Sequence, residues 1–163
     1  MSPHRLGRGA PASPAIAMNI LSLCDEKPAT VPPDATAAQA IQTMLDCRVG
    51  AVAVLDAEGK VAGIFTERDV LQKLALSGRD PKKVPVRELM TTPVEMATEE
   101  TTPGEALAEM VECHVRHLPI VDAGGKLLGM LSIRNLLQAQ VDELAHDLDS
   151  VEQYLSNDGP GGD

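Results

Sequence analysis

Aromatic residues are almost missing: Phe65 and Tyr154 are the only two among 163 residues, and there is no tryptophan. A surface that stacks the bases of single-stranded nucleic acid needs several aromatic faces. That class is therefore set aside, and the core has to be built from Val, Leu, Ile, Ala and Met. Cations are also short, 14 against 24 acids, for a formal net charge of −10. Such a balance repels a phosphate backbone or an anionic membrane over most of the surface, so any anion must be held locally. No apolar run approaches a membrane span; the longest, such as Gly50 to Leu55, are strand-sized. The cysteines, Cys24, Cys47 and Cys113, are odd in number and lack a C-x-x-C pairing. That is the pattern of reduced thiols rather than a disulfide frame, and the expected location is the cytoplasm.

Residues 1–17 are rich in Pro, Gly and Ala, carry Arg without acid and have no amphipathic period. They read as a disordered leader outside the fold. Basic, acid-free leaders also resemble transit peptides, but a start at Met18 is the preferred reading.

What is present is one unit written twice. Met44-Leu-Asp-Cys-Arg-Val49 lies over Met110-Val-Glu-Cys-His-Val115, and Asp56-Ala-Glu-Gly-Lys60 over Asp122-Ala-Gly-Gly-Lys126, both displaced by 66 positions. Gly63 then matches Gly129, Arg68 matches Arg134 and Leu71-Gln72 match Leu137-Gln138. A gapless displacement from about residue 20 to about residue 140 marks a duplicated supersecondary unit. The expected units are 18–80 and 81–140, followed by a helical extension over 141–157 and a disordered tail over 158–163.

Each unit reads as βαββα. A short apolar turn (20–24; 86–90) and an extended segment (29–31; 94–97) come first. A helix follows, capped by Asp34-Ala-Thr36 or Glu100-Thr-Thr102-Pro. Its stripe of Ala40, Ile41, Met44 and Leu45, or Ala106, Leu107, Met110 and Val111, is expected to face a sheet. Two strands (50–56, 61–65; 117–122, 127–131) flank a turn at Glu58-Gly59 or Gly124-Gly125. A second helix opens at Thr66 or Ser132, with Val70, Leu71 and Leu74, or Leu136 and Leu137, expected on its inner face. Cys47 and Cys113 are expected as buried thiols of the core-facing helix.

The motifs Gly-Ile-Phe-Thr-Glu-Arg-Asp (63–69), Arg-His-Leu-Pro-Ile-Val-Asp (116–122) and Pro-Val-Arg-Glu-Leu-Met-Thr (85–91) resemble cystathionine β-synthase (CBS) domains. The pair is similar to a Bateman module, in particular to stand-alone bacterial two-repeat proteins. The resemblance implies an α/β (α+β) fold in which two repeats pack sheet to sheet with two clefts between them. It further implies an adenosine ligand, with AMP preferred and ATP, NAD(H) or S-adenosylmethionine as alternatives, and a homodimer.

An adenosine ligand offers a flat base, a diol and an anionic tail. In Thr66-x-x-Asp69 an ionised Asp69 can accept both ribose hydroxyl protons, while Thr66 and Arg68 face the phosphates. The helix start adds amide donors worth about 0.3–1 kcal/mol to an anion. The family pattern places the base against Met90, Val94 and Val115, with Arg116 and His117 near the phosphates. The symmetric cleft uses Ser132, Arg134 and Asn135 with Cys24, Pro28, Val49 and Gly50. There Asn135 stands where the first cleft has its aspartate, and Gly50 where it has Arg116, so one strong and one weaker site are expected.

Blander readings accompany these. Thr66-x-x-Asp69 is also an ordinary capping arrangement, and both roles can coexist. Cys113-His114 and His117 have a metal-like spacing but lack a fourth ligand, and no metal is expected. Without a Gly-x-Ser-x-Gly elbow, a Walker loop or a nucleophile beside an evident base, the reading is non-catalytic. Finally, Leu137, Val141, Leu144, Leu148, Val151 and Leu155 alternate four and three apart, a seam that wants a partner helix. A homodimer reporting to an effector protein is the expectation, and a structural interaction module without ligand is the rival. Nucleic acid and membrane are not expected partners.

Overall fold

A computed structural model describes residues 19–25 and 27–157; the expected leader (1–17) and tail (158–163) lie outside the described residues. The first repeat contributes β1 (Thr30–Val31), α1 (Ala37–Cys47), β2 (Ala51–Leu55), β3 (Val61–Thr66) and α2 (Glu67–Asp69), which runs on as a π-helical turn over Val70–Leu74. The second contributes β4 (Ala97–Thr98), α3 (Pro103–Cys113), β5 (His117–Val121), β6 (Leu127–Ser132) and α4 (Ile133–Asn157). Each repeat forms a three-stranded sheet, ordered β1-β2-β3 or β4-β5-β6, its first pair parallel and its second antiparallel. The displacement of 66 survives into the register. Val31 pairs Val54 as Ala97 pairs Ile120, and Val52 pairs Phe65 as Leu118 pairs Leu131.

Local chemistry fixes the helix ends. Thr36 and Gln39, like Thr102 and Glu105, form reciprocal capping boxes that satisfy two amide donors each. Arg48 and His114 close α1 and α3 in the left-handed region at φ 55°. That conformation costs a non-glycine residue roughly 1–2 kcal/mol, offset where Val49 N donates to Met44 O and Val115 N to Met110 O, each at 3.0 Å.

The inner stripes are narrower than the sequence suggests. Ala37, Ala40 and Met44 are buried on α1, and Ala106 and Met110 on α3, but Leu45 and Val111 are exposed. Each lies one residue past the buried methionine, a rotation of about 100° that carries it off the sheet. Leu71 and Leu137 are likewise exposed, next to a half-buried Val70 and a buried Leu136. Cys47 and Cys113 are exposed rather than buried, because each is the last residue of its helix and lines one of the two clefts.

The two repeats exchange their first segments. The turn at Ile20–Leu23 packs into the core of the second repeat, with Met110, Leu118 and Leu131. Its counterpart around Val86 packs into the first, with Met44, Val52 and Phe65. Gly63 and Gly129 make room for this crossing. A Cβ at Gly63 would fall on the Met90 side chain, and one at Gly129 would lie 2.9 Å from Cys24 Cβ. A third cluster, Ala51, Ala53, Ile64 and Met130 with Val94 half-buried beside it, lies between the sheets.

Candidate functional site

Asp69 sits at the mouth of α2 and is 3% exposed. Its Oδ2 accepts from Thr66 N at 3.0 Å and from the Thr66 hydroxyl at 3.2 Å. Its Oδ1 accepts from the Thr91 hydroxyl at 2.8 Å and pairs with Lys73 Nζ at 3.0 Å. A carboxylate offers about four lone-pair sites, so Asp69 is already fully engaged. Lys73 is held in turn by Leu89 O at 3.1 Å and Thr91 Oγ1 at 3.3 Å.

A cleft of about 330 Å³ opens in front of this group, walled by Thr66, Arg68 and Asp69 on one side and by Val115, Arg116 and His117 of the second repeat on the other. Arg68 Nη1 donates to His114 O at 3.2 Å and so ties the walls together. The structure therefore gathers those six residues at one place. Met90 and Val94 stand outside the lining, because Met90 packs across Gly63 into the first core and Val94 joins the cluster between the sheets. Ile64 and Thr91 line the cleft instead.

The second cleft, about 360 Å³, is lined by Val49, Gly50, Ser132, Arg134 and Asn135, as the repeat implies. Cys24 and Pro28 are not in its wall; Cys24 packs into the second core. Three cations, Lys27, Arg48 and Arg134, face this cavity. Asn135 Nδ2 donates to Asp25 Oδ1 at 3.3 Å and Leu23 O at 3.4 Å. Asp25 is the repeat equivalent of Thr91. The acid of the first cleft thus reappears in the second on the opposite wall, with donor and acceptor exchanged.

His117 and Gly50 line both cavities. A Cβ on Gly50 would stand 3.3 Å from His117 Cε1 and 3.4 Å from Glu67 Cδ, so the missing side chain lets these two groups close in between the clefts. Burial holds the His117 imidazole below its usual range, with Glu67 and Asp25 opposing and Arg116 reinforcing. Among the described residues there is no group of three or more His, Cys, Asp or Glu that could hold a metal ion.

The residues that sequence reasoning passed over are Lys73, Thr91, Asp25 and Arg48. Lys73 lies four residues after Asp69, the spacing of a helical ion pair. Thr91 and Asp25 lie 66 apart, so the repeat alignment contained the exchange.

Against this geometry the family model for the CBS domain matches the chain twice, over residues 20–76 and 86–142. The chain belongs to the CBS-domain family. It is a tandem pair of CBS repeats, a family of regulatory modules. It is 38% identical over 127 residues to an uncharacterized 17.7 kDa protein of Acidianus ambivalens, covering 78% of this chain and 76% of that one. Other curated relatives are longer, and the chain spans 55% of one and 20% of another. A CBS-domain protein of Burkholderia ambifaria, described as a putative signal-transduction protein, superposes with a TM-score of 0.70 at 34% identity, covering 76% of this chain and 91% of that one. A CBS-domain protein of Pyrobaculum aerophilum complexed with AMP superposes with a TM-score of 0.69 at 25% identity, covering 79% and 99%. No helix among the described residues is long and apolar enough to cross a membrane.

Proposed function

We propose that this CBS pair is a non-catalytic sensor of an adenosine nucleotide, AMP first, working as a cytoplasmic homodimer that passes its state to an effector protein. The observation that carries this reading is the convergence of Thr66, Asp69 and Arg68 with Arg116 of the other repeat on one cavity of about 330 Å³, a volume within the range of small-molecule sites. The AMP held by the Pyrobaculum aerophilum relative supports the ligand class. A ligand gripping both walls binds one relative packing of the repeats better than another, which is the requirement for a signal. ATP, NAD(H) and S-adenosylmethionine share the adenosine part and compete for the same residues.

One observation favours a second reading, a purely structural interaction module: the carboxylate of Asp69 already has four partners within the fold. Isothermal titration with AMP, ATP, NADH and S-adenosylmethionine separates the two. The sensor binds at least one of them, and Asp69→Asn weakens that binding about tenfold or more; heat-free titrations and an unchanged melting temperature with all four would leave the structural reading.

A further inference from the structure

Beyond Gln140, past the fully buried Leu136, α4 leaves the body of the molecule, and none of the described residues covers its apolar seam. Leu137, Val141, Leu144, Leu148, Val151 and Leu155 are between 46% and 66% exposed. The seam has an unusual property: its residue order, Leu-Val-Leu-Leu-Val-Leu, and its spacing, four-three-four-three-four, read the same from either end about residue 146. Any seam matches a copy of itself in parallel register. This one also matches itself in reverse, with Leu137 against Leu155 of a second copy, Val141 against Val151 and Leu144 against Leu148.

Charge and side-chain shape separate the two orientations. In heptad terms Val141, Leu148 and Leu155 are a positions, and Leu137, Leu144 and Val151 are d positions. Parallel dimers favour a β-branched residue at a and Leu at d, whereas here two of three a positions are Leu and one d position is Val. A parallel pair would also set Asp147, at g, beside Glu152, at e of the other copy, on both sides of the coil. The reverse pairing puts Glu152 beside Gln138 and Gln140 beside Tyr154, with Ala145 meeting Ala145 at the axis, and leaves a single acid–acid contact, Asp147 with itself. The other acids of the helix, Asp142, Glu143 and Asp149, fall on its outer face, so the flanks do not call for a basic partner. Self-complementary residue order about a two-fold point is the signature of an isologous contact.

We propose that two copies of this chain pair through α4 in antiparallel fashion, with the two-fold axis at residue 146 and the nucleotide clefts carried at opposite ends of the coil. This rests on the homodimer of the preceding section and specifies its contact. The helix ends at Asn157, two residues past the outermost layer, and the seam from 137 to 155 is about 27 Å long at 1.5 Å per residue.

Sedimentation equilibrium of the full chain should give a dimer, and Leu144→Glu with Leu148→Glu should weaken it at least a hundredfold without lowering the melting temperature of the body. Orientation is read from nitroxides on Ser150→Cys and Ser156→Cys, placed in a Cys24→Ala, Cys47→Ser, Cys113→Ser background. In the antiparallel pair, separation along the axis grows by about 3 Å for each residue away from 146, so the Ser156 labels lie roughly 18 Å further apart along the axis than the Ser150 labels. Equal separations would mean a parallel coil and overturn the proposal. A dimer that survives the double Glu variant and shows no label pair along α4 would also overturn it, while leaving the homodimer standing; a monomeric wild type would remove both.

Discussion

Lys73 reaches the same oxygen of Asp69 that the Thr91 hydroxyl occupies, at 3.0 Å against 2.8 Å. For a ribose diol to bind Asp69, one of those two partners must be displaced. Lys73 stands at the greater distance, its side chain is 38% exposed, and an ion pair screened on one side by solvent is worth about 1 kcal/mol. Lys73→Met should therefore raise AMP affinity by about fivefold, the equivalent of that energy, while costing the apo-protein a similar amount of stability. Titration calorimetry and urea unfolding on the same variant measure both; an affinity that fell along with the stability would show that Lys73 holds the ligand rather than competing with it.

The exchange of Asp69 and Thr91 for Asn135 and Asp25 gives the two clefts opposite polarity at equivalent places. Asn135→Asp alone should destabilise the protein, because it sets two carboxylates about 3.3 Å apart. Asn135→Asp together with Asp25→Thr restores the acid and hydroxyl pair of Asp69 and Thr91, with Ala139 at the place of Lys73. The double variant should regain stability and raise the AMP stoichiometry from one to two per chain, read from the titration midpoint.

The duplication, the element order and the placing of Thr66, Arg68 and Asp69 at one helix start were legible because the displacement of 66 runs without a gap and lays them over Ser132, Arg134 and Asn135. What was not legible depends on tertiary contact. Periodicity alone puts Leu45, Leu71, Val111 and Leu137 inside, yet each is exposed because it lies one residue, about 100°, past the inward-facing position. Nor did the pattern tell that the segment at Ile20 belongs to the core of the other repeat. Met90 and Val94 were placed against the base by resemblance, and the same exchange of segments draws them into apolar clusters.

That crossing makes the paired glycines unequal. At Gly63 an added methyl would meet Met90 Sδ, Cγ at 2.8 Å and Cβ at 3.2 Å, of which the first two can swing aside with the flexible side chain. At Gly129 it would meet Cys24 Cβ at 2.9 Å, which the backbone fixes, and Sγ at 3.0 Å, which a χ1 rotation can move. Both substitutions overpack, at a typical cost of 1–3 kcal/mol. Gly129→Ala should lie near the upper end of about 3 kcal/mol and Gly63→Ala near the lower end of about 1 kcal/mol. Denaturant unfolding of the two variants gives the order directly, and Gly129→Ala combined with Cys24→Ala should recover part of the loss.

His117 gives the fold a pH dependence whose sign follows from its surroundings. The groups facing it are Glu67, Arg116 and Asp25, and burial outweighs the two acids, so the folded protein resists a proton that the unfolded chain accepts. Its folded-state value is thus lower than its unfolded one. The stability this contributes is full above the ordinary histidine value, near pH 6.5, and is lost as the pH falls from there through the depressed folded-state value. Wild-type unfolding free energy should decline as the pH falls below the ordinary histidine value near 6.5, with a slope of at most about 1.4 kcal/mol per pH unit. His117→Gln, which keeps a polar side chain of similar length but cannot titrate, should flatten that window while leaving the slope below pH 5, set by the carboxylates, unchanged. Adenylate should act oppositely on the wild type: phosphate beside His117 favours the imidazolium, so binding takes up a proton and AMP affinity should rise as the pH is lowered across the same window. An affinity that is flat with pH in wild type and variant alike would place the phosphates away from His117.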